Sequence, residues 1–351
     1  MSIEYTKVEP ASRQAFYETL LTFWDQRWDR DFQQDFLDWR YARRTDGETL
    51  VALSGSKCIA LIDTFIRPYR VGGRQVLVRE PCDWYCAPGS RGVGMRLMKW
   101  LISQDEPLLG VGLPEAAIAI APRLKWKHLL DTHDFVLPIT ARRLAAAGLR
   151  KAGLGDGSVT KYMPRGIRIR SRSTWLQHRV PDGTVEEVAP EQWPGEDWDA
   201  VRGDGGYAVT PVVTRGYVQW LASAPASLGK LVCLAFRVEG TLVGLSICRI
   251  EASKVGRKAR LIHLQALEPD VQRLRWMIAE NVAMADGLEA ESFHCRSSCP
   301  TINGALTSLG FRRRSSEAVM AGFKEIAVPP GPVDMTFLRG DDAMIPSLIA
   351  E

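Results

Sequence analysis

The stretch 88-PGSRGVGMRLMKWLI-102 puts three glycines around one arginine. It then runs into a segment with apolar residues at Leu97, Met98, Leu101 and Ile102, the spacing of one buried helix face. Glycine costs conformational entropy inside regular structure, so a cluster at a helix start means that the backbone there approaches something closely. The first N–H groups of a helix lack intrahelical partners and lie at the positive end of its dipole, which makes an anion the natural occupant. Gly92 and Gly94 would bring the backbone up to a phosphate with no Cβ between, and Arg91 would add a charged hydrogen bond. The Gly-Lys-Ser/Thr ending of a Walker loop is absent. The GxGxxG dinucleotide fingerprint belongs early in a parallel sheet, whereas this loop follows a run of predicted hairpins.

Two cysteine pairs have a spacing that zinc tolerates, Cys82 with Cys86 and Cys295 with Cys299 beside His294. Each lies in or beside a predicted strand without a compact turn, so buried thiols are expected and no metal site is. Seven cysteines, an odd number, argue for reduced thiols over a disulfide framework.

The elements that must position the loop follow from the pattern. A short strand is predicted near Ile3 to Val8, then helices over 11–28 and 33–43. Extended segments follow at 49–68, broken as a hairpin at Ser54 to Lys57, and at 74–88, entered through the turn Gly72-Gly73. The loop and its helix come next, then a strand and turn over 109–120 and a helix through Lys127 to Leu130 leading to Phe135. Much of this order recurs: Trp39 in FLDWRYAR has a counterpart in Trp220 of YVQWLASA, and the turn 71-VGGR-74 in 255-VGRK-258. From each turn to the arginine of the next helix, Arg91 or Arg275, the count is the same. The pattern implies a duplicated domain, residues 1–150 and 184–351, joined by a connector over 151–183.

Composition bounds the rest. The 351 residues, 46% hydrophobic and 25% charged, fit two globular cores, and the net charge of +4 is too small and scattered to point to nucleic acid. No run reaches the roughly 20 apolar residues of a membrane span, and the start lacks the regions of a signal peptide, so a cytoplasmic protein is expected. A homodimer is left open.

The loop resembles the pyrophosphate-binding motif of the GNAT (GCN5-related N-acetyltransferase) superfamily, Arg/Gln-x-x-Gly-x-Gly/Ala after a strand ending in Pro. Here Pro88 precedes Arg91, Gly92, Val93, Gly94, Met95 and Arg96, with Arg96 standing where the family has Gly or Ala. The second half is similar to a further GNAT-type fold and carries the family-like phrase 309-LGFRR-313, but its loop position, 268-EPDVQRLRW-276, holds no glycine. The chain resembles tandem GNAT-like bacterial proteins, a group in which Asp83 and the closing phrase 334-DMTFLRGDDAM-344 have similar counterparts. The resemblance implies an α+β fold of two GNAT-like domains, each a mainly antiparallel twisted sheet flanked by helices, the second unable to bind CoA in the usual way. It also implies acetyl-CoA as co-substrate and transfer to an amine or hydroxyl of a small molecule or sugar.

On that resemblance the strand 82-CDWYCAP-88 contacts the pantetheine, with Trp84, Tyr85 and Cys86 beside it. A carboxylate on this strand is the expected general base, Asp83 first and Glu80 second, and strand alternation sends these two to opposite faces. The segment 121-APRLKWKHLLDTHDF-135 lacks the tyrosine that the family often uses as general acid, leaving His128 or Tyr85 to substitute. Two other functions fit the same residues, a non-catalytic acyl-CoA-binding or regulatory protein and an aminoacyl-tRNA-dependent transferase.

Overall fold

The computed structural model describes residues 2–24, 30–44, 46–111, 118–119, 121–151, 167–253, 256–323, 327–328, 330–334 and 336–338. The end of the first predicted helix, most of 112–120, the connector over 152–166 and most of the closing phrase lie outside the described residues.

Strands alternate with helices in the order expected, up to one element. In the N-terminal half these are β1 (Ile3–Val8), α1 (Arg13–Trp24), α2 (Arg30–Leu37) continued by a π turn over Asp38–Ala42, β2 (Thr49–Ser54), β3 (Lys57–Val71), β4 (Arg74–Cys86), α3 (Arg91–Ser103), β5 (Leu108–Val111) and β6 (Lys127–Pro138). The helix expected at Lys127 is thus a strand. Its run KHLLDTHDFVLP buries Thr132, Phe135 and Leu137 inside the sheet, and that burial overrides a local pattern that fits either period.

After α4 (Ala141–Lys151) and α5 (Arg172–Leu176) come β7 (Gly183–Glu187), α6 (Glu196–Arg202), β8 (Val209–Pro211) and α7 (Arg215–Ala222). The hairpin strands β9 (Lys230–Val238), β10 (Thr241–Ser253) and β11 (Gly256–Ala266) lead to α8 (Val271–Gly287), β12 (Ala290–Ser297), α9 (Pro300–Ser308) and β13 (Arg312–Gly322). The described end of the expected connector is no loose tether, because Trp175 on α5 is buried in the core under α8.

One mixed, mainly antiparallel sheet runs through the molecule in the order β1-β2-β3-β4-β5-β13-β6-β12-β11-β10-β9-β7, with β8 pairing β3 off this path. The order reads alike from both ends: an antiparallel run of strands, one parallel pair (β4 with β5, β11 with β12), then the last strand of the other half. Each half's final strand has crossed over, β6 to pair with β12 and β13 to pair with β5, and the two meet at the centre. The halves also meet at a pair of tryptophans: Trp39 and Trp220, counterparts in the sequence, stack with ring centroids 4.4 Å apart and planes within 5°. Each indole N–H donates to the other's carbonyl, at 2.8 and 3.2 Å.

Two cores cover the two faces of the N-terminal sheet. Helices α1 and α2 and the π turn bury Phe23, Trp24, Phe36, Trp39 and Tyr41 against Phe65 and Cys82 on one face. On the other, α3 buries Leu97, Met98 and Leu101 against Leu50, Ala52, Ala60 and Ile62. At about 1.5–3 kcal/mol for each large apolar side chain removed from water, this packing fixes where α3 begins. Among the described residues no helix is long and apolar enough to cross a membrane.

Candidate active site

Strands β4 and β5 are parallel and share one ladder position, Arg79 with Leu108, supported by Arg79 N–H donating to the Pro107 carbonyl at 2.8 Å. Beyond it they diverge: β4 runs on to Cys86 along β3, while β5 turns to β13. Helix α3 starts at the end of this splay. Gly89, at φ +85°, reverses the chain after β4, and Ser90 stands at the N-cap with no side-chain hydrogen bond to the first turn. The positive end of the helix is therefore not closed by a side chain of its own cap.

The two loop glycines have different surroundings. Gly92 is exposed, and a Cβ there would meet nothing within 4 Å, so its backbone faces open space at the helix start. A Cβ on Gly94 would overlap the Cys86 sulfur and stand 3.1 Å from Trp84 Nε1. The packing of α3 onto β4 thus leaves no room for a side chain at Gly94. Trp84 Nε1 donates to the Gly94 carbonyl at 3.2 Å, and burial raises the pKa of the Cys86 thiol. Val93 and Met95 are half-buried, and Arg91 opens the helix, its side chain outside the described set. Arg96 is exposed and turns toward β1 and β2, where it lines a cavity of about 440 Å³ with Tyr5, Lys7 and Trp100. It does not fill the splay.

The register of β3 and β4 slips between Leu61, opposite Tyr85, and Asp63, opposite Cys82. Asp83, the first candidate base, sits in this bulge at φ +46°, a left-handed conformation for which aspartate is among the few tolerant side chains. Its carboxylate is fully buried, ion-paired with Arg40 and accepting from the Tyr41 hydroxyl at 2.8 Å. Burial first, and then the Asp83 charge, push the Tyr41 pKa well above the ordinary phenol range. Glu80, the second candidate, accepts from Tyr69 and from Arg67 Nη1, the latter at 3.4 Å. Arg67 lies over one face of Phe65, and the Phe65 ring also carries Arg44, which grips Asp63 through bonds of 2.8 and 3.0 Å. Asp63 in turn lies in one group with Cys82 and Asp83. Asp83 and Glu80 therefore share a face, against the opposite faces expected, because the extra residue of the bulge breaks the alternation.

The ligand atoms of Asp63, Cys82 and Asp83 lie within 4.8 Å of one another, a grouping that invites a cation. The arginines decide otherwise: Arg40 pairs with Asp83 and Arg44 with Asp63, so the negative charge is already met. Burial acts to raise the Asp63 pKa, but the Arg44 charge and hydrogen bonds overcome it and leave the carboxyl below its ordinary value.

Of the remaining candidates, Tyr85 is half-buried against Phe23 and Trp24, with centroids 5.4 and 6.1 Å away. His128 is 54% exposed, bonded to Asp131 at 2.9 Å, on a strand separated from β5 by β13. The structure does not bring it to the loop. Arg40, Tyr41, Arg44 and Asp63 were not singled out from the sequence, although a lone aspartate inside the apolar run 59-IALIDTFI-66 demands a buried cation, and 40-RYARR-44 supplies it.

In the C-terminal half the matching helix α8 is closed. The Asp270 side chain caps it by accepting from Arg273 N–H at 2.9 Å, and β11 pairs with β12 from Arg257 to Leu261. The offset relating Arg91 to Arg275 also relates Asp83 to Leu267 and Asp63 to Ile247, so these two carboxylates are replaced there by apolar residues.

No family model and no curated protein matches the chain. Solved structures do. A GCN5-related N-acetyltransferase from Anabaena variabilis superposes with a TM-score of 0.59 at 14% identity, over 92% of this chain and 73% of that one. A probable N-acyltransferase from Enterococcus faecalis gives 0.59 at 12% identity, over 92% and 73%. The Saccharomyces cerevisiae N-myristoyltransferase with bound myristoyl-CoA gives 0.58 at 13%, over 93% and 84%. With its splayed parallel pair and the helix that starts at the splay, the chain has the fold of the GCN5-related N-acetyltransferases.

Proposed function

We propose that the protein is an acyl-CoA-dependent acyltransferase. It moves an acetyl group from acetyl-CoA to an amine, in preference to a hydroxyl, of a small molecule or sugar. The observation that carries this is the N-terminus of α3, without a side-chain cap and with Gly92 in open space, placed where β4 leaves β5. An anionic pyrophosphate there would meet backbone N–H groups and the helix dipole, and the acyl-bearing arm would lie along β4. The same fold holding myristoyl-CoA in the yeast enzyme supports the choice of co-substrate class.

The acceptor nitrogen attacks the thioester carbonyl, the carbon–sulfur bond breaks, and the thiolate takes up a proton. Asp83 is proposed as the base that receives the acceptor's proton, with Glu80 second. Both are buried against partners, Arg40 and Tyr41 for the one, Arg67 and Tyr69 for the other. In this reading the C-terminal half is a second, degenerate GNAT-like domain that shapes the acceptor site. The deep burial of both carboxylates also favours a second reading, an acyl-CoA-binding protein without turnover.

The test is release of CoA thiol from acetyl-CoA across a panel of amines and amino sugars. The transferase reading expects release that depends on the acceptor. Tight acetyl-CoA binding with no acceptor-dependent release would leave the binding protein, and salt-sensitive tRNA binding without CoA binding would favour an aminoacyl-tRNA-dependent transferase.

A further inference from the structure

Between the halves lies a cavity of about 190 Å³, lined by residues of β3, β8 and α7 and by Leu338. Asp46, Arg67, Thr214, Tyr217 and Trp220 are among its lining residues. Arg67 is only 6% exposed and is held in place on three sides. Its guanidinium is sandwiched between the rings of Phe65 and Tyr217, each 4.3 Å from the guanidinium carbon, and Nη1 donates to the Leu338 carbonyl at 2.7 Å and to Glu80.

Its other edge is different. Among the described residues Nε and Nη2 have no hydrogen-bond partner, although both are buried. These two N–H groups form the side-on fork that matches the two oxygens of a carboxylate. The buried hydroxyl of Tyr217 is likewise without a partner. Burial pushes its pKa up to about 12, so it remains a donor. Asp46 Oδ2 stands 3.9 Å from Nε, beyond hydrogen-bond reach, and its other oxygen lies toward Arg44 at 3.4 Å. That nearby negative charge tolerates a monoanion better than a dianion. Glu80 follows directly on Arg79, the last residue of β4 paired with β5, so the fork lies one side chain from the splay.

We infer that this cavity is a carboxylate-binding subsite, in which the Nε–Nη2 edge of Arg67 and the Tyr217 hydroxyl hold the carboxylate of a small acceptor. The role as acceptor subsite rests on the transferase reading; the binding itself does not.

Propionate, n-propylamine and inorganic phosphate are titrated into the full-length protein by ligand-observed NMR, with acetyl-CoA titrated into the same preparations. Saturable propionate binding is expected, weakened about tenfold by Tyr217→Phe, which keeps the ring that Arg67 stacks on, and at least as much by Arg67→Lys, which loses the fork. Phosphate and propylamine should bind at least about tenfold more weakly than propionate. A thermal melt confirms that each variant is folded. Absent propionate binding, or equal binding in wild type and Tyr217→Phe, overturns the subsite even where acetyl-CoA binds. Propionate binding without acetyl-CoA binding sinks the transferase reading and leaves the subsite standing.

Discussion

Helices α3 and α8 occupy matching places in the two halves, and their first turns are built oppositely. At α3 the side chain of the cap residue Ser90 makes no bond to the first turn, Gly92 faces open space, and the adjoining strands part after one ladder position. At α8 the Asp270 carboxylate occupies the cap and the adjoining strands stay paired over several residues. A helix N-terminus needs acceptors, and it takes them from its own chain, from water or from a ligand. The C-terminal half supplies one from its own chain, the Asp270 carboxylate. The N-terminal half has no such side-chain cap and, on the strand beside it, carries a buried charge cluster where the other half has Leu267 and Ile247.

The sharpest way to break this contrast is Asp83→Asn. It keeps the shape of the bulge residue and removes the charge that Arg40 meets, so stability should fall by about 3–5 kcal/mol in a denaturant titration. If the loss is below about 1 kcal/mol, the cluster is not the electrostatic unit described. Gly94→Ala comes next. The added methyl overlaps the Cys86 sulfur, and about 1–3 kcal/mol should be lost, most of it recovered in the double variant with Cys86→Ala. Equal losses in the single and double variants would mean that the glycine serves something other than packing. Smallest is Asp270→Ala, expected to cost about 0.5–2 kcal/mol as a lost cap while leaving acetyl-CoA binding unchanged. A change in that binding would mean that the two helix starts are not independent.

Much of the fold was legible because its signals are local. The hairpins, the turn glycines and the α3 stripe each occupy a few consecutive residues, and the strand-to-helix change at Arg91 falls where the glycines place it. Trp39 and Trp220 were legible as counterparts, though nothing in a linear pattern says that counterparts stack on one another. Strand β6 was misread because its burial comes from β12 and β13, which lie far along the chain. Alternation assigns Asp83 and Glu80 to opposite faces, and a bulge, which leaves no periodic trace, puts them together. In 40-RYARR-44, Arg40 and Arg44 pair with Asp83 and Asp63, partners that lie on strands well beyond any local pattern.

The most direct test of the central claim is a calorimetric titration of acetyl-CoA into the wild-type protein and into Gly92→Glu. The glutamate has room, sits on the surface and favours a helix N-terminus, so stability should stay within about 0.5 kcal/mol of wild type while a negative charge enters the anion's place. Saturable binding to the wild type, weakened at least about tenfold in the variant, is the result predicted for a phosphate-holding helix start. Equal binding to both proteins, or none to the wild type, would contradict it.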